Sequence, residues 1–218
     1  MWRMHRRQQL DDKLAALITE MRTQVAAEGK LAMLADRASM QYGYTQTATE
    51  KPIGPKFLRI TDISSGCLDW DEVPYCEIEA KQLKKYQLKP GDVVVARTGV
   101  SAGAARYLGN GLPNAVFASF LVRVRADNPI EQTYTGLTVA STDFFEFVQA
   151  NAGGSAQPQA NPPLLGKYEY MLPSEDELTI LNERVSPIID AIETNEREAT
   201  LLKRLQMNML GSLVRISD

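Results

Sequence analysis

The sequence predicts an α+β fold: a β-rich central domain, a long C-terminal coiled-coil helix and an additional N-terminal helix. Three observations point there. Apolar residues recur at three- and four-residue steps near both ends of the chain. The middle breaks into short β-rich runs separated by Gly, Pro and Asn. The longest periodic stretch starts at a helix cap and stops at a glycine. The boundaries read as residues 1–30, 31–173 and 174–218.

The first element is a helix from Gln8 to Glu28, where Leu10, Leu14, Leu17, Met21 and then Gln24 or Val25 keep the rhythm and Ile18 widens the stripe. Gly29 is placed to end it. Strands are expected at Phe57–Ile63, Asp92–Arg97, Ala104–Leu108 and Val116–Arg125. The run Val93–Ala96 follows a Pro90-Gly91-Asp92 turn, as a buried strand does. In the last run, Phe117, Ser119, Leu121, Arg123 and Arg125 alternate with Phe120, Val122 and Val124, which predicts a two-faced strand with basic tips. A helix around Thr142–Ala150, capped by Thr142 or Asp143, precedes a Gly/Pro/Gln loop from Gly153 to Pro163. Ser174 and Glu177 then form a capping box for a helix running to Leu210, about 55 Å at 1.5 Å per residue. Leu178, Leu181, Val185, Ile188, Ile192, Asn195, Ala199, Leu202, Gln206 and Met209 form its seam, with Asn195 suited to fixing register. Pro187 should kink or split it, and Gly211 should end it.

With 218 residues, 44% of them hydrophobic and 23% charged, the chain can bury a core without staples. Cys67, Cys76 and a single histidine, His5, make neither a disulfide framework nor a four-ligand zinc site. No apolar stretch reaches membrane-spanning length and no secretory leader is legible, so a cytoplasmic location is expected. The net charge of −3 hides a segregation. Between Lys81 and Arg125 stand eight basic residues (Lys81, Lys84, Lys85, Lys89, Arg97, Arg106, Arg123, Arg125) against one acid, Asp92. From Asp62 to Glu79 there are six acids and no base. Charge so divided can build one positive face on an acidic molecule.

Enzyme motifs are each missing a member. Asn161-Pro162-Pro163 resembles the start of an N6-adenine methyltransferase motif, but Leu164 stands where an aromatic must stack on the flipped base. No glycine-rich turn for a methyl donor accompanies it. Glu79-Ala80-Lys81, with Asp62 or Asp71 upstream, is only a fragment of a nuclease signature. The loop Gly99–Gly103 lacks the Gly-Lys-Ser/Thr of a phosphate loop. Cys76 and the serines have no base to activate them. The chain therefore reads as carrying no catalytic centre, cofactor or metal.

Three polar clusters have side chains suited to DNA. Arg97-Thr98 at a strand end, with Ser101 beyond, offers a guanidinium for guanine O6 and N7. Ser155, Gln157 and Gln159 offer hydroxyl and amide groups, the amides suited to adenine. Tyr42, Tyr44 and Thr45 add rings and hydroxyls. Taken singly, turn chemistry or a packed tyrosine explains each as well. Lys81, Lys84, Lys85, Arg106, Arg123 and Arg125 are the expected phosphate contacts.

In order, Tyr42–Thr45, Phe57–Ile63, Leu88–Gly99, Gly154–Pro158, Leu164–Lys167, Met171–Pro173 and Leu201–Gln206 resemble the specificity subunit of type I restriction–modification systems, over about Leu31 to Arg215. The resemblance implies a target-recognition domain at residues 31–173 and a spacer helix. It places the Asn-Pro-Pro run inside the family's glutamine-proline loop. It implies double-stranded DNA and a methyltransferase subunit as partners, with S-adenosylmethionine on that subunit, and a restriction subunit as a further partner. Family members usually carry two recognition domains and two spacer helices; one of each is legible here, which implies a half-length subunit pairing with a second copy. Leu181, Val185, Ile188, Ile192, Asn195, Ala199, Leu202 and Met209 are the expected helix interface. Alternatively, the N-terminal helix folds back and satisfies the seam within the chain. Two other functional readings stay open: an interaction subunit of a phage-defence complex that binds no DNA, and a free-standing adenine methyltransferase.

Overall fold

The computed structural model describes residues 2–64, 68–152 and 159–216. Its first element, α1 (Trp2–Glu28), ends where expected: the Gly29 N–H donates to the Val25 carbonyl at 2.6 Å. Strand β1 (Lys30–Met33) pairs antiparallel with β8 (Glu169–Leu172), which leads directly into α7 (Glu175–Ile216). The two long helices therefore leave the same small ribbon and run antiparallel, with Arg184 on α7 reaching Glu20 on α1 at 3.3 Å.

The central sheet has the order β2–β7–β4–β5, from Ala38–Tyr42, Leu121–Ala126, Val93–Ala96 and Ala105–Tyr107, all antiparallel. Val93, Val95, Val122 and Val124 face a core shared with Ile18, Met21 and Val25 of α1 and Leu178, Leu181, Val185 and Ile189 of α7. Val94 and Leu121 face a second core with Leu58, Leu88 and Phe117. Burial on both faces explains why Val93–Ala96 is apolar without alternation. The helices α4 (Gln132–Val139) and α5 (Thr142–Asn151) cover the first face. A parallel pair, β3 (Lys56–Leu58) with β6 (Ala115–Phe117), and the helix α3 (Ala80–Tyr86) cover the second.

Several local expectations are corrected. The Phe57–Ile63 run is strand only to Leu58; Ile60–Ile63 form a helical turn, α2, because Asp62 accepts the Arg59 N–H at 2.7 Å in a capping box. Val116–Arg125 is two strands in two sheets, broken at Ala118–Phe120, where the Arg97 N–H takes the Phe120 carbonyl. The predicted alternation fails there because β7 is a central strand, buried from Leu121 to Val124. Helix α5 is capped by Ser141, whose hydroxyl accepts the Phe144 N–H, not by Thr142 or Asp143.

The capping box at the start of α7 is present, with the Ser174 N–H and hydroxyl each 2.8 Å from Glu177 Oε2. Beyond it, α7 passes Pro187 and Gly211 without a break. Pro187 removes a single backbone bond, the one its nitrogen would otherwise donate to the Glu183 carbonyl, and the Val185 and Ile189 side chains on either side of it are held in the core.

Candidate nucleic-acid interface

Antiparallel pairing brings four chain segments to one end of the central sheet. Tyr42 stands opposite Val122, Ala96 opposite Leu121 and Val95 opposite Ala105. Backbone bonds then tie the outgoing loops together. The Gly43 N–H donates to Leu121 (3.1 Å), Arg97 to Phe120 (2.9 Å) and Ala160 to Arg97 (2.8 Å), while Thr98 bridges to Gln159. Gly43 is required by this approach, since a Cβ there would lie 2.1 Å from the Ala118 carbonyl oxygen.

Arg97 is the pivot. Its guanidinium carbon lies 4.6 Å from the centre of the Tyr42 ring, a cation–π contact worth about 0.5–2 kcal/mol. Its buried Nε has no hydrogen-bond partner among the described residues. A guanidinium half-removed from water, stacked on a ring and without an oxygen acceptor among the described residues can donate to an external one. Beyond it, Gly99 turns the chain at φ +78 with open space around it, so glycine serves backbone conformation there. The 3-10 turn that follows, Gly99–Ser101, leaves Ser101 half-buried and Val100 in solvent. Gln159 is exposed beside Thr98.

A basic helix adjoins this end. The Tyr44 ring packs 5.2 Å from that of Tyr86 on α3, and Gln46 donates to the Glu77 carbonyl just before α3 begins. Lys81, Lys84 and Lys85 are exposed on α3, with the Lys85 ammonium 5.2 Å from the Tyr86 ring, and Thr45 is exposed on the adjoining segment. Tyr42, Arg97, Thr98, Ser101 and Gln159 thus lie at one end of the sheet, and the segment with Tyr44 and Thr45 links that end to the helix that carries Lys81, Lys84 and Lys85. Ser155 and Gln157 lie outside the described residues.

Three expected phosphate contacts are instead internal. Arg106 Nη2 is 2.6 Å from both carboxylate oxygens of Glu196, which tacks the edge strand β5 to α7. Arg125 makes two bonds, of 2.6 and 2.7 Å, to Asp92, a fully buried carboxylate. Arg123 is buried over the Phe117 ring and donates to Gln41 at 2.7 Å; desolvation holds its pKa below the ordinary arginine value. Sequence charge counting could not separate these from Arg97, because pairing depends on which strand lies beside which. Conversely, Val100 and Phe120 were missed as surface residues. Phe120 reads as part of a continuous strand until the break at Ala118–Phe120 is seen.

The expected helix interface divides likewise. Leu181, Val185, Ile192 and Asn195 are buried within the chain; Ile189 takes the core position assigned to Ile188, and Ala199 is half-buried. Their steps of three and four belong to a helix packed on its own domain and on α1. Leu202 and Met209 are exposed.

The enzyme-like fragments have structural explanations. The Asn161 side chain accepts the Leu164 N–H at 2.9 Å and caps the turn α6 (Pro162–Leu165), where Pro at the first positions suits a helix start. Asp62 pairs with Arg59 and Asp71 with Arg204, while Glu79 precedes α3 on the surface, so they do not converge on Lys81. Burial pushes the Cys76 thiol up to about 11. Among the described residues, no group of three or more His, Cys, Asp or Glu is placed to hold a metal, and no helix is long and apolar enough to cross a membrane.

The helix pair, the four-stranded sheet and its parallel annex together define the fold of a type I restriction–modification S subunit. The solved S subunit from M. genitalium superposes with a TM-score of 0.64 at 12% identity, covering 95% of this chain and 56% of that one. The HsdS subunit from Thermoanaerobacter tengcongensis gives a TM-score of 0.49 at 14% identity, covering 95% and 53%. The chain thus spans little more than half the length of the structures it matches. No family model matches the sequence, and no curated protein does.

Proposed function

We propose that this chain is the sequence-reading subunit of a type I-like restriction–modification complex, without a catalytic centre of its own. The sheet end reads one half of a bipartite site in double-stranded DNA. The helices dock a methyltransferase subunit, which brings S-adenosylmethionine, and a restriction subunit can join. The observation that carries this reading is Arg97, stacked on Tyr42 without an oxygen partner among the described residues, at a sheet end beside three exposed lysines. Its fold likeness to the M. genitalium S subunit supports the same role. The lysines of α3 supply affinity through phosphates, and Arg97, Thr98, Ser101 and Gln159 supply base choice.

In this proposal the outer part of α7 joins a second copy, giving a homodimer that presents identical halves to a palindromic split target. Leu201, Leu202, Leu205 and Met209 there are 57%, 46%, 58% and 66% exposed.

The deciding experiment purifies the full chain from its host and maps adenine methylation with and without its gene. A co-purifying methyltransferase subunit, and a bipartite modified motif that vanishes on deletion, are the expected results. A complex that associates independently of salt, retains no duplex DNA and leaves methylation unchanged would make the chain an interaction subunit instead.

A further inference from the structure

Exposed apolar side chains stand on the segments that adjoin Arg97. Val100 is 97% exposed at the tip of its turn, and Phe120 is 57% exposed in the break between β6 and β7. Tyr42, 40% exposed, carries the guanidinium. Backbone geometry makes these neighbours: the Arg97 N–H is bonded to the Phe120 carbonyl, and Val100 follows Arg97 by three residues. A single exposed valine is ordinary. Here one aromatic ring stacks on a guanidinium without an oxygen partner among the described residues, and two exposed apolar side chains, Val100 and Phe120, stand on the segments next to Arg97 in the chain or tied to it by a backbone bond.

The major-groove edge of DNA carries the complement. Guanine presents O6 and N7 as paired acceptors, and the apolar feature of that edge is the C5 methyl of a pyrimidine. Resting on the DNA-reading role proposed above, the geometry points to Val100 and Phe120 as readers of a pyrimidine C5 methyl beside the base held by Arg97. Thymine and 5-methylcytosine both carry that methyl. Phe is among the side chains that wedge between base steps and Val is not. The polar neighbours Thr98, Ser101 and Gln159 suit a groove edge better than an unstacked step.

The test uses the full chain, together with any methyltransferase subunit that co-purifies, and duplexes it selects from a random pool. Each thymine is replaced in turn by uracil, which removes one methyl and keeps the pairing; each cytosine is replaced by 5-methylcytosine. If thymine is the source, uracil weakens binding about fourfold at one position of the half-site, the effect of one buried methyl group. If 5-methylcytosine is the source, methylation strengthens binding by a similar factor. Val100→Ser or Phe120→Ser, at exposed positions and with thermal unfolding unchanged, abolishes the difference between methylated and unmethylated duplexes. Lys84→Ala lowers affinity for both and preserves their ratio. Base-selective binding that is indifferent to the methyl at every position overturns this inference and leaves the DNA-reading role standing. A Phe120→Ser variant that loses affinity for all duplexes together with a DNA bend assigns a wedge and overturns it as well. Failure to select any duplex removes the DNA-reading role itself, and this inference with it.

Discussion

Arg123 and Arg125 lie on β7 and Arg97 directly follows the adjacent strand β4, yet only Arg97 is without an oxygen partner among the described residues. Arg125 is committed to Asp92, whose carboxylate also accepts the Lys89 N–H and so closes the Pro90–Gly91 turn. Arg125→Met should therefore act on folding: an uncompensated buried Asp92 costs about 3–5 kcal/mol, read as a lower denaturant midpoint. Arg97→Ala should leave the midpoint almost unchanged. It should relax preference at particular bases by about 1–3 kcal/mol, measured as relative affinities across a duplex library. Equal losses on every sequence would remove its readout role. Cys76 provides a pH signature. Burial among Phe57, Val116 and Ala118 raises its thiol from an ordinary 9.0 to about 11, which favours the neutral form in the folded state. Its contribution to stability is present in full below pH 9 and is lost as the pH climbs towards 11. Between pH 8 and 10.5 the wild type should lose roughly 2 kcal/mol more than Cys76→Ala, as read from denaturant unfolding at the two pH values.

Among the elements, α7 combines two kinds of surface. From Leu178 to Asn195 its stripe is buried, whereas Leu201, Leu202, Leu205, Met207 and Met209 are exposed. Arg204 pins the outer part to the acidic loop, 2.5 Å from Asp71 and 3.7 Å from Asp69. Leu181→Ala should cost about 2–5 kcal/mol by opening a cavity in the shared core. Leu205→Ser should change stability by less than about 0.5 kcal/mol and shift the sedimenting species from dimer to monomer. A monomer in both wild type and variant would remove the proposed pairing of copies. Helix α3 supplies a separate surface: its exposed lysines neighbour the tyrosines without entering a core.

For the whole molecule, an overall charge of −3 coexists with a cluster of exposed lysines on α3 because acids and bases are segregated along the chain. Arg106, Arg123 and Arg125 turn inward, leaving Lys81, Lys84, Lys85 and Arg97 for the proposed contact with DNA. Affinity for DNA should therefore fall steeply with salt, and Lys84→Ala should weaken all duplexes alike. The slope of log affinity against log salt should drop by about one for each phosphate contact removed, measured by titration at several salt concentrations. A slope that Lys84→Ala leaves unchanged would move the phosphate track off α3.

Local chemistry was legible without coordinates wherever a few adjacent residues decide the outcome. The Ser174–Glu177 box, the Pro90-Gly91-Asp92 turn, the end of α1 at Gly29 and the α+β class are of this kind. So is the order of motifs that resembles a specificity subunit. Tertiary structure decided what depends on contacts distant in sequence. Arg106 meets Glu196 and Arg125 meets Asp92 only after β5, β7 and α7 have assembled. The break at Ala118–Phe120 forms because Arg97 takes the Phe120 carbonyl, and the inner seam of α7 is filled because α1 returns along it. A periodic stripe records that a helix face will be covered, and a run of arginines records that charge must be compensated. Which partner does so is set by strand order and helix direction, neither of which a local pattern carries.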